Sequence, residues 1–385
     1  MDKWQIYFWE PSVSPHKIDL YRALASSEAV EETWYIAQEE LSVARRKQGW
    51  DVNCDSLKNI VVGPTKSEIS KIMASSSPRS IHLFSGMRRV PCIVEGIRAA
   101  ILEHRNFGIM HEPRVFEGLR GWARFAHSWL TERALREHAH FILAIGRHGP
   151  SWFESVGYKR SRIFPFAYFL PFLKSDNYRT SSLEDQFAVR IGYLGRLERA
   201  KGVNLFLSAL EKLSTEFEVH VAGGGHEVES VRRVVENSDI LLNYRGAIPM
   251  SAVPAFLSGI DILVAPSITK DDGWGAVVSE ALMVGTAVVA TEHVGASVCL
   301  DDDTRGRVVP ELTAQALADA IEWLVENGRL TTHYRALRSA WGNDHLSGDA
   351  GAAYLLAILN HVYFAAERPA PFFGGLSEIL CAGPV

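Results

Sequence analysis

Asp271-Asp-Gly-Trp-Gly-Ala-Val-Val-Ser-Glu280, continued by Ala-Leu-Met-Val-Gly285, is the stretch on which the reading of this chain turns. It follows Asp261-Ile-Leu-Val-Ala-Pro266, an apolar run that reads as a short buried strand closed by a proline. Beyond the loop, Ala276, Val277, Ala281 and Leu282 fall on one side of a helix. A strand therefore feeds a loop with two glycines, and the loop delivers a helix N-terminus. The first N–H groups of such a helix lack intrahelical partners and carry partial positive charge, which suits a phosphate. Gly273 and Gly275 let the main chain come close to a ligand. Glu280 lies about a turn and a half further on, within reach of a polyol attached to that phosphate. Physically this is a site for a nucleotide diphosphate carrying sugars, with acids at Asp272 and Glu280.

The bulk numbers agree with a soluble protein of more than one core. At 385 residues two domains are the natural expectation. The hydrophobic fraction of 47% and charged fraction of 22% are those of a globular chain. A net charge of −5 argues against a general nucleic-acid binder. Cys54, Cys92, Cys299 and Cys381 show no paired spacing and read as reduced thiols. No apolar run approaches the ~18 residues of a membrane span, and the N-terminus lacks the pattern of a signal peptide. The expected location is the cytoplasm or the cytoplasmic face of a membrane.

Outward from the opening stretch, the pattern is strands alternating with helices. In the first half the strand candidates are Ile6–Trp9, Thr33–Ile36, Ile60–Val62, Ile81–Phe84, Phe107–Met110 and Phe141–Ala144. In the second half they are Val189–Leu194, Val219–Ala222, Ile240–Leu242, Ile262–Val264 and Ala287–Ala290. Such alternation predicts parallel sheets with crossover helices, an α/β fold. The polar stretch 174–187 reads as a linker between a domain over 1–173 and a second over 188–345. A C-terminal helix and tail occupy 346–385.

The second domain opens with Gly192-Tyr-Leu-Gly195-Arg196-Leu-Glu-Arg-Ala-Lys201-Gly202. Two cations five residues apart, between a strand end and a helix, can neutralise a diphosphate from one side. Arg196 offers a planar fork of donors and Lys201 a mobile point charge. Gly223-Gly-Gly225 lacks a third glycine at the offset that dinucleotide binding needs, because His226-Glu-Val-Glu follows; it reads as a strand-to-helix connection.

These motifs occur in a familiar order: Gly195-Arg196 with Lys201-Gly202, Val221-Ala-Gly-Gly-Gly225, Tyr244-Arg-Gly246, Asp261 to Ser267, Gly275 with Glu280-Ala281, and Gly285 to Thr291. The chain here resembles family 4, the retaining nucleotide-sugar-dependent glycosyltransferases (group 1) of the GT-B fold. The resemblance covers about 100 residues of the C-terminal half. It implies two Rossmann-like domains facing across a cleft, with the C-terminal helix returning to the N-terminal domain.

Carried over residue by residue, it implies that Arg196 and Lys201 bind the donor diphosphate beside Gly195. The loop Gly273-Trp274-Gly275 and the backbone at Ala276 and Val277 would meet the same phosphates. Glu280 would hold the ribose, and Gly246 to Ile248 would line the base. Asp272 takes the first position of an acid-x7-acid pair that is usually glutamate, so the contact to the donor sugar departs from the family's pattern. The resemblance implies a UDP- or GDP-sugar as donor, with no separate cofactor and no metal required. It likewise implies a glycan or lipid-linked glycan as acceptor, and nucleic acid is not an expected partner.

In the first half, His111 follows a predicted strand and matches a histidine that many members place near the donor sugar or acceptor. Glu112 and His16 are acceptor-side candidates, although His16 could instead cap the helix that follows. The segment Arg114 to Arg136 mixes arginines with Leu119, Trp122, Phe125 and Trp129 at helical spacing. It reads as an amphipathic helix packed on its own sheet with the arginines in water. The competing reading lays a basic aromatic face on anionic lipid.

The implied reaction breaks the bond between the anomeric carbon and the β-phosphate and passes the sugar to a hydroxyl with retention. Arg196, Lys201 and the helix N-terminus would stabilise charge on the leaving diphosphate. Two other readings stand beside it: a different GT-B enzyme such as a nucleotide-sugar epimerase, and a non-catalytic GT-B partner subunit.

Overall fold

In the computed structural model, residues 3–47, 50, 57–114, 118–173, 188–237, 239–270 and 273–374 are described. Asp272, Cys54, Cys381 and the linker 174–187 lie outside them. The chain divides into two compact units. One comprises Met1–Pro171 with Ser347–Val385, and the other Phe172–Leu346.

The first unit holds a seven-stranded, all-parallel sheet. Its strands are β1 (Trp4–Ser12), β2 (Val30–Glu39), β3 (Ile60–Val62), β4 (Ile81–Ser85), β5 (Asn106–His111), β6 (Phe141–Ile145) and β7 (Ile163–Phe166), in the order 3-2-1-4-5-6-7. Trp9, Phe84, Ile93, Ile97, Phe107, Ile142 and Phe153 fuse strands and crossover helices into one core. The helix Gly348–Phe364 packs on the helix Pro15–Ala25 of this unit. Glycines make that approach possible: a Cβ at Gly348 would stand 2.7 Å from the Asp19 carbonyl, and one at Gly351 2.3 Å from the Phe169 ring.

The second unit holds six parallel strands, β8 (Val189–Leu194), β9 (Phe217–Ala222), β10 (Leu242–Tyr244), β11 (Ile262–Ala265), β12 (Ala287–Thr291) and β13 (Gly306–Val309), in the order 10-9-8-11-12-13. The third strand of this domain begins two residues later than the run Ile240–Leu242 suggests. As an edge strand it leaves Leu241 68% exposed, so apolarity alone misplaces it. Ile191, Phe206, Val219, Val221, Ile262, Val264 and Ile321 form the core. At the N-terminal edge, Arg190 Nη2 donates to Asp261 at 2.9 Å and Arg190 Nε at 3.1 Å, a bidentate pair that locks β8 to β11. Both sheets reverse direction of growth, between β1 and β4 and between β8 and β11. Ligands of such folds bind outside the carboxyl ends of strands at these switch points.

The arginines around the helix Gly118–Thr131 are of two kinds: Arg133 is exposed beside Glu137, as expected, whereas others turn inward. Arg114 donates to Ser128 Oγ at 3.0 Å and Arg88 to the same oxygen at 3.1 Å, on the buried side. Arg136 donates to three backbone carbonyls, of Ser128, Trp129 and Val156. The exposed large apolar residues of the helix are Leu119, Trp122, Trp129 and Leu130, with Ala123 and His127 exposed beside them.

Candidate functional site

In the second unit, the loops leaving the carboxyl ends of β10, β9, β8 and β11 are tied into one strip. Gly223 N–H donates to the Gly246 carbonyl at 2.7 Å, and Tyr244 OH to the Gly223 carbonyl at 3.0 Å. Gly223 has φ +142° and lies so close to the next loop that a Cβ would be 1.8 Å from the Gly195 carbonyl oxygen. Leu197 N–H donates to Gly224, and Ile268 N–H to Ala200. The triple glycine is thus a strand-to-helix connection that lets neighbouring loops touch.

Arg196, Lys201 and Ile248 all stand on this strip. Arg196 is exposed and pairs with Glu198 at 2.9 and 2.7 Å, while its carbonyl accepts from Tyr193 OH. Lys201 ends a short 3-10 turn, and its N–H donates to the Glu198 carbonyl at 2.9 Å. Ile248 is half-buried on the loop after β10. Gly195 opens the loop after β8, its N–H held by the Ala222 carbonyl.

The loop after β11 ends at Gly275, whose φ of +78° and ψ of +63° make it the left-handed N-cap of the helix Ala276–Met283. Gly275 brings no side chain to that cap, and among the described residues no side-chain cap is made to the first turn, at Ala276 and Val277. Trp274 anchors it: the indole is fully buried and donates to Ser279 Oγ at 2.9 Å. Its side chain therefore belongs to the core, and only its backbone and that of Gly273 can face a ligand. Glu280 is half-buried, and no described residue hydrogen-bonds its carboxyl; burial alone pushes its pKa up to about 8. A carboxyl held this way is short of donors, which the hydroxyls of a ribose would supply.

A second polar cluster stands at the switch point of the first unit. Lys17 Nζ lies 3.3 Å from Ser85 Oγ, 3.3 Å from Met110 Sδ, 3.9 Å from Glu10 Oε1 and 4.7 Å from the Tyr168 ring centre. Ser85 Oγ donates to Glu10 Oε1 at 2.5 Å, and Tyr168 OH to Glu112 Oε1 at 2.7 Å. His111 Nδ1 is 2.5 Å from the Glu112 carbonyl, which fixes the proton there and leaves Nε2 as the acceptor. Burial keeps His111 neutral. His16 stacks on Tyr168 with its ring edge-on to Trp50; burial, then Arg45 and Lys17, lower its pKa to about 4.

Ser14, not His16, is the N-cap of the helix Pro15–Ala25, so the capping reading of His16 is set aside. The structure brings His16, His111 and Glu112 to one cluster through Tyr168 and Lys17. Sequence reasoning missed Lys17 and Glu10, whose spacing carries no motif. Among the described residues no group of three His, Cys, Asp or Glu converges as a metal site would require. No helix among them is long and apolar enough to cross a membrane.

Two parallel Rossmann-like units, one with a glycine-lined strip and a helix N-terminus at its switch point, are the parts of a GT-B fold. Comparison with known proteins agrees: residues 174–342 match the family model described as Glycosyl transferases group 1. Phosphatidyl-myo-inositol mannosyltransferase of Mycolicibacterium smegmatis is 31% identical over 151 residues, 38% of this chain and 39% of that one. The putative colanic acid biosynthesis glycosyltransferase WcaL of Salmonella typhimurium is 31% identical over 134 residues, 32% and 33% respectively. The match thus spans about two-fifths or less of these curated relatives. Among solved structures, Anabaena Alr3699/HepE in complex with UDP and glucose superposes with a TM-score of 0.65 at 14% identity, over 92% of this chain and 99% of that one. Sucrose-phosphate synthase from Thermosynechococcus elongatus gives 0.64 at 14% identity, over 94% and 100%. These likenesses establish the GT-B fold.

Proposed function

We propose that the protein is a retaining glycosyltransferase of family 4. It moves a sugar from a UDP- or GDP-sugar to a hydroxyl of a glycan or lipid-linked glycan, in the cytoplasm, during surface polysaccharide or glycolipid synthesis. The observation that carries the reading is the strip in the second unit. Arg196, Lys201 and the helix N-terminus at Ala276 and Val277 stand at the carboxyl edge of one sheet with a Glu280 carboxyl to which no described residue donates. Three sources of positive potential suit a diphosphate, and an acceptor-rich carboxyl a turn and a half deeper suits the attached ribose.

As the anomeric C–O bond to the β-phosphate breaks, negative charge collects on the leaving diphosphate. Arg196, Lys201 and the helix N-terminus would meet that charge with donors, Arg196 once it leaves its weak surface pair with Glu198. On the other unit, a neutral His111 with Nε2 as acceptor can take a hydrogen bond from a sugar or acceptor hydroxyl. Glu112 and His16 would line the acceptor side, and Asp272 would touch the donor sugar. The relatives' names, a phosphatidyl-inositol mannosyltransferase and a colanic acid glycosyltransferase, support the acceptor class. A bound UDP in a protein of the same fold supports the donor class.

The test is a thermal-shift screen of UDP- and GDP-sugars followed by transfer assays on the responding donor. Arg196→Ala and Glu280→Ala are expected to cut transfer strongly in folded protein; near-normal turnover in both overturns the assignment. A nucleotide-sugar converted to its epimer without an acceptor would support the epimerase reading, and no nucleotide binding at all the partner-subunit one.

A further inference from the structure

We propose that the outward face of the helix Gly118–Thr131 is a docking surface for an anionic lipid bilayer. Leu119 is 92% exposed, Leu130 75%, Trp122 66% and Trp129 49%. With Ala123 and Ala126 these residues occupy one continuous arc at about 100° per residue, the arc turned away from the sheet. Single exposed apolar residues are ordinary, but a whole helix face of them marks a binding surface. The helix has turned its polar contacts inward, onto Ser128, and left its apolar arc uncovered.

The chemistry of the face selects the occupant. Fourteen residues make a rod of about 21 Å, long enough to lie in the plane of a bilayer interface. Trp122, Phe125 and Trp129 form a row with ring centres 6.5 and 6.3 Å apart, and indoles favour the boundary between hydrocarbon and water. The segment that carries the helix is positively charged in a chain whose net charge is −5. Between Gly118 and Arg162 there are eight arginines and lysines against three acids. Of those acids, Glu132 is buried against Arg88 and Glu137 pairs with Arg133. Arg136 lies over the Trp129 ring at 5.2 Å, and the exposed Lys159 and Arg160 follow Gly157, against which Trp129 packs. An apolar stripe inside a basic rim is complementary to acyl chains beneath anionic headgroups. A second copy of the chain packed on this face would oppose one basic rim with another.

The test uses the full chain in flotation with vesicles of phosphatidylcholine alone and of phosphatidylcholine mixed with phosphatidylglycerol, with no sugar present. Wild-type protein should float with the mixed vesicles, and less so as salt rises. The triple change Leu119→Ser, Trp122→Ser and Leu130→Ser should lower partitioning at least about tenfold. UDP-sugar binding by calorimetry should stay as in the wild type, so a failed glycosyltransferase reading and a failed docking surface are told apart. The three side chains are exposed, and a retained helical circular-dichroism spectrum checks the fold. Should that spectrum be lost, Leu119→Asp alone serves as the test. Absence of wild-type flotation, or equal flotation of the variant, overturns the proposal. So does a wild-type dimer in sedimentation velocity that the variant converts to monomer, which would make the face a self-association interface.

Discussion

Gly202 presses its Cα onto the carbonyl of Pro266: a Cβ built at that position would stand 1.8 Å from the oxygen. Its φ of +71° is left-handed as well. The loop that carries Lys201 and the loop that leads to Gly275 therefore meet where no side chain fits, with Ile268 N–H donating to Ala200 beside it at 3.0 Å. This contact ties the backbone beside Lys201 to the end of β11.

Gly202→Ala is accordingly expected to act on two levels. The positive φ costs about 1 kcal/mol and the clash with backbone adds to it, so unfolding should shift by about 1–3 kcal/mol in denaturant titration. Because the loops must part, nucleotide-sugar affinity by calorimetry should fall in protein that is still folded. Unchanged stability and affinity would mean that the two loops do not set each other's position.

Arg196 is held by Glu198, with Arg196 57% and Glu198 30% exposed at the side chain. Pairs in such surroundings contribute about 0–1 kcal/mol, little enough for a diphosphate to displace. Glu198→Ala should tighten donor binding up to about fivefold at low salt, with the gain shrinking as salt rises. Arg196→Ala should weaken it by more than tenfold, about what a charge-assisted bidentate contact contributes. A donor affinity that ignores both changes would place the diphosphate elsewhere.

Most of the fold was legible in the sequence because buried parallel strands are continuous apolar runs. Two strands were not. Ile163-Phe-Pro-Phe166 contains a proline, which demotes a strand reading; as β7 it is at the sheet edge, where one missing N–H is tolerated. Gly306-Arg-Val-Val309 is four residues long and half-exposed, also at an edge. The strip in the second unit was legible because its residues lie in local motifs at strand ends. Lys17 and Glu10 were not, since each reads as an ordinary solvated charge. Their common partner Ser85 lies 75 residues from Glu10, and Met110, which only Lys17 touches, lies 93 from Lys17. Nor does periodicity reveal that the arc of Leu119 and Leu130 faces outward, because an apolar stripe carries no sign of whether anything covers it.

The Lys17–Glu10 pair makes its own prediction. Both side chains are buried, 10% and 2% exposed, so removal of either partner strands the other. Lys17→Met should destabilise the protein by about 3–5 kcal/mol, and the double change Lys17→Met with Glu10→Gln should recover a large part. A double-mutant cycle in urea reads the coupling. Additive effects would show that the two charges do not interact across their 3.9 Å separation.

Glu280 links the site to pH. Its carboxyl is lifted by burial from the ordinary 4.5 to about 8 in the folded protein. Between those values the folded chain binds a proton that the unfolded chain has released, so this group's contribution to stability falls as pH rises from about 4.5 to about 8 and is level outside that window. Hydroxyls of a bound ribose donate to the carboxylate and favour its charged form, so binding there expels the proton. Affinity for a nucleotide-sugar should therefore rise with pH up to about 8, and calorimetry in two buffers of different ionisation enthalpy should register proton release below it. Glu280→Gln should abolish the release, flatten the affinity profile and remove this share of the stability slope. A wild-type profile that is flat from pH 5 to about 8 would place the ribose away from Glu280.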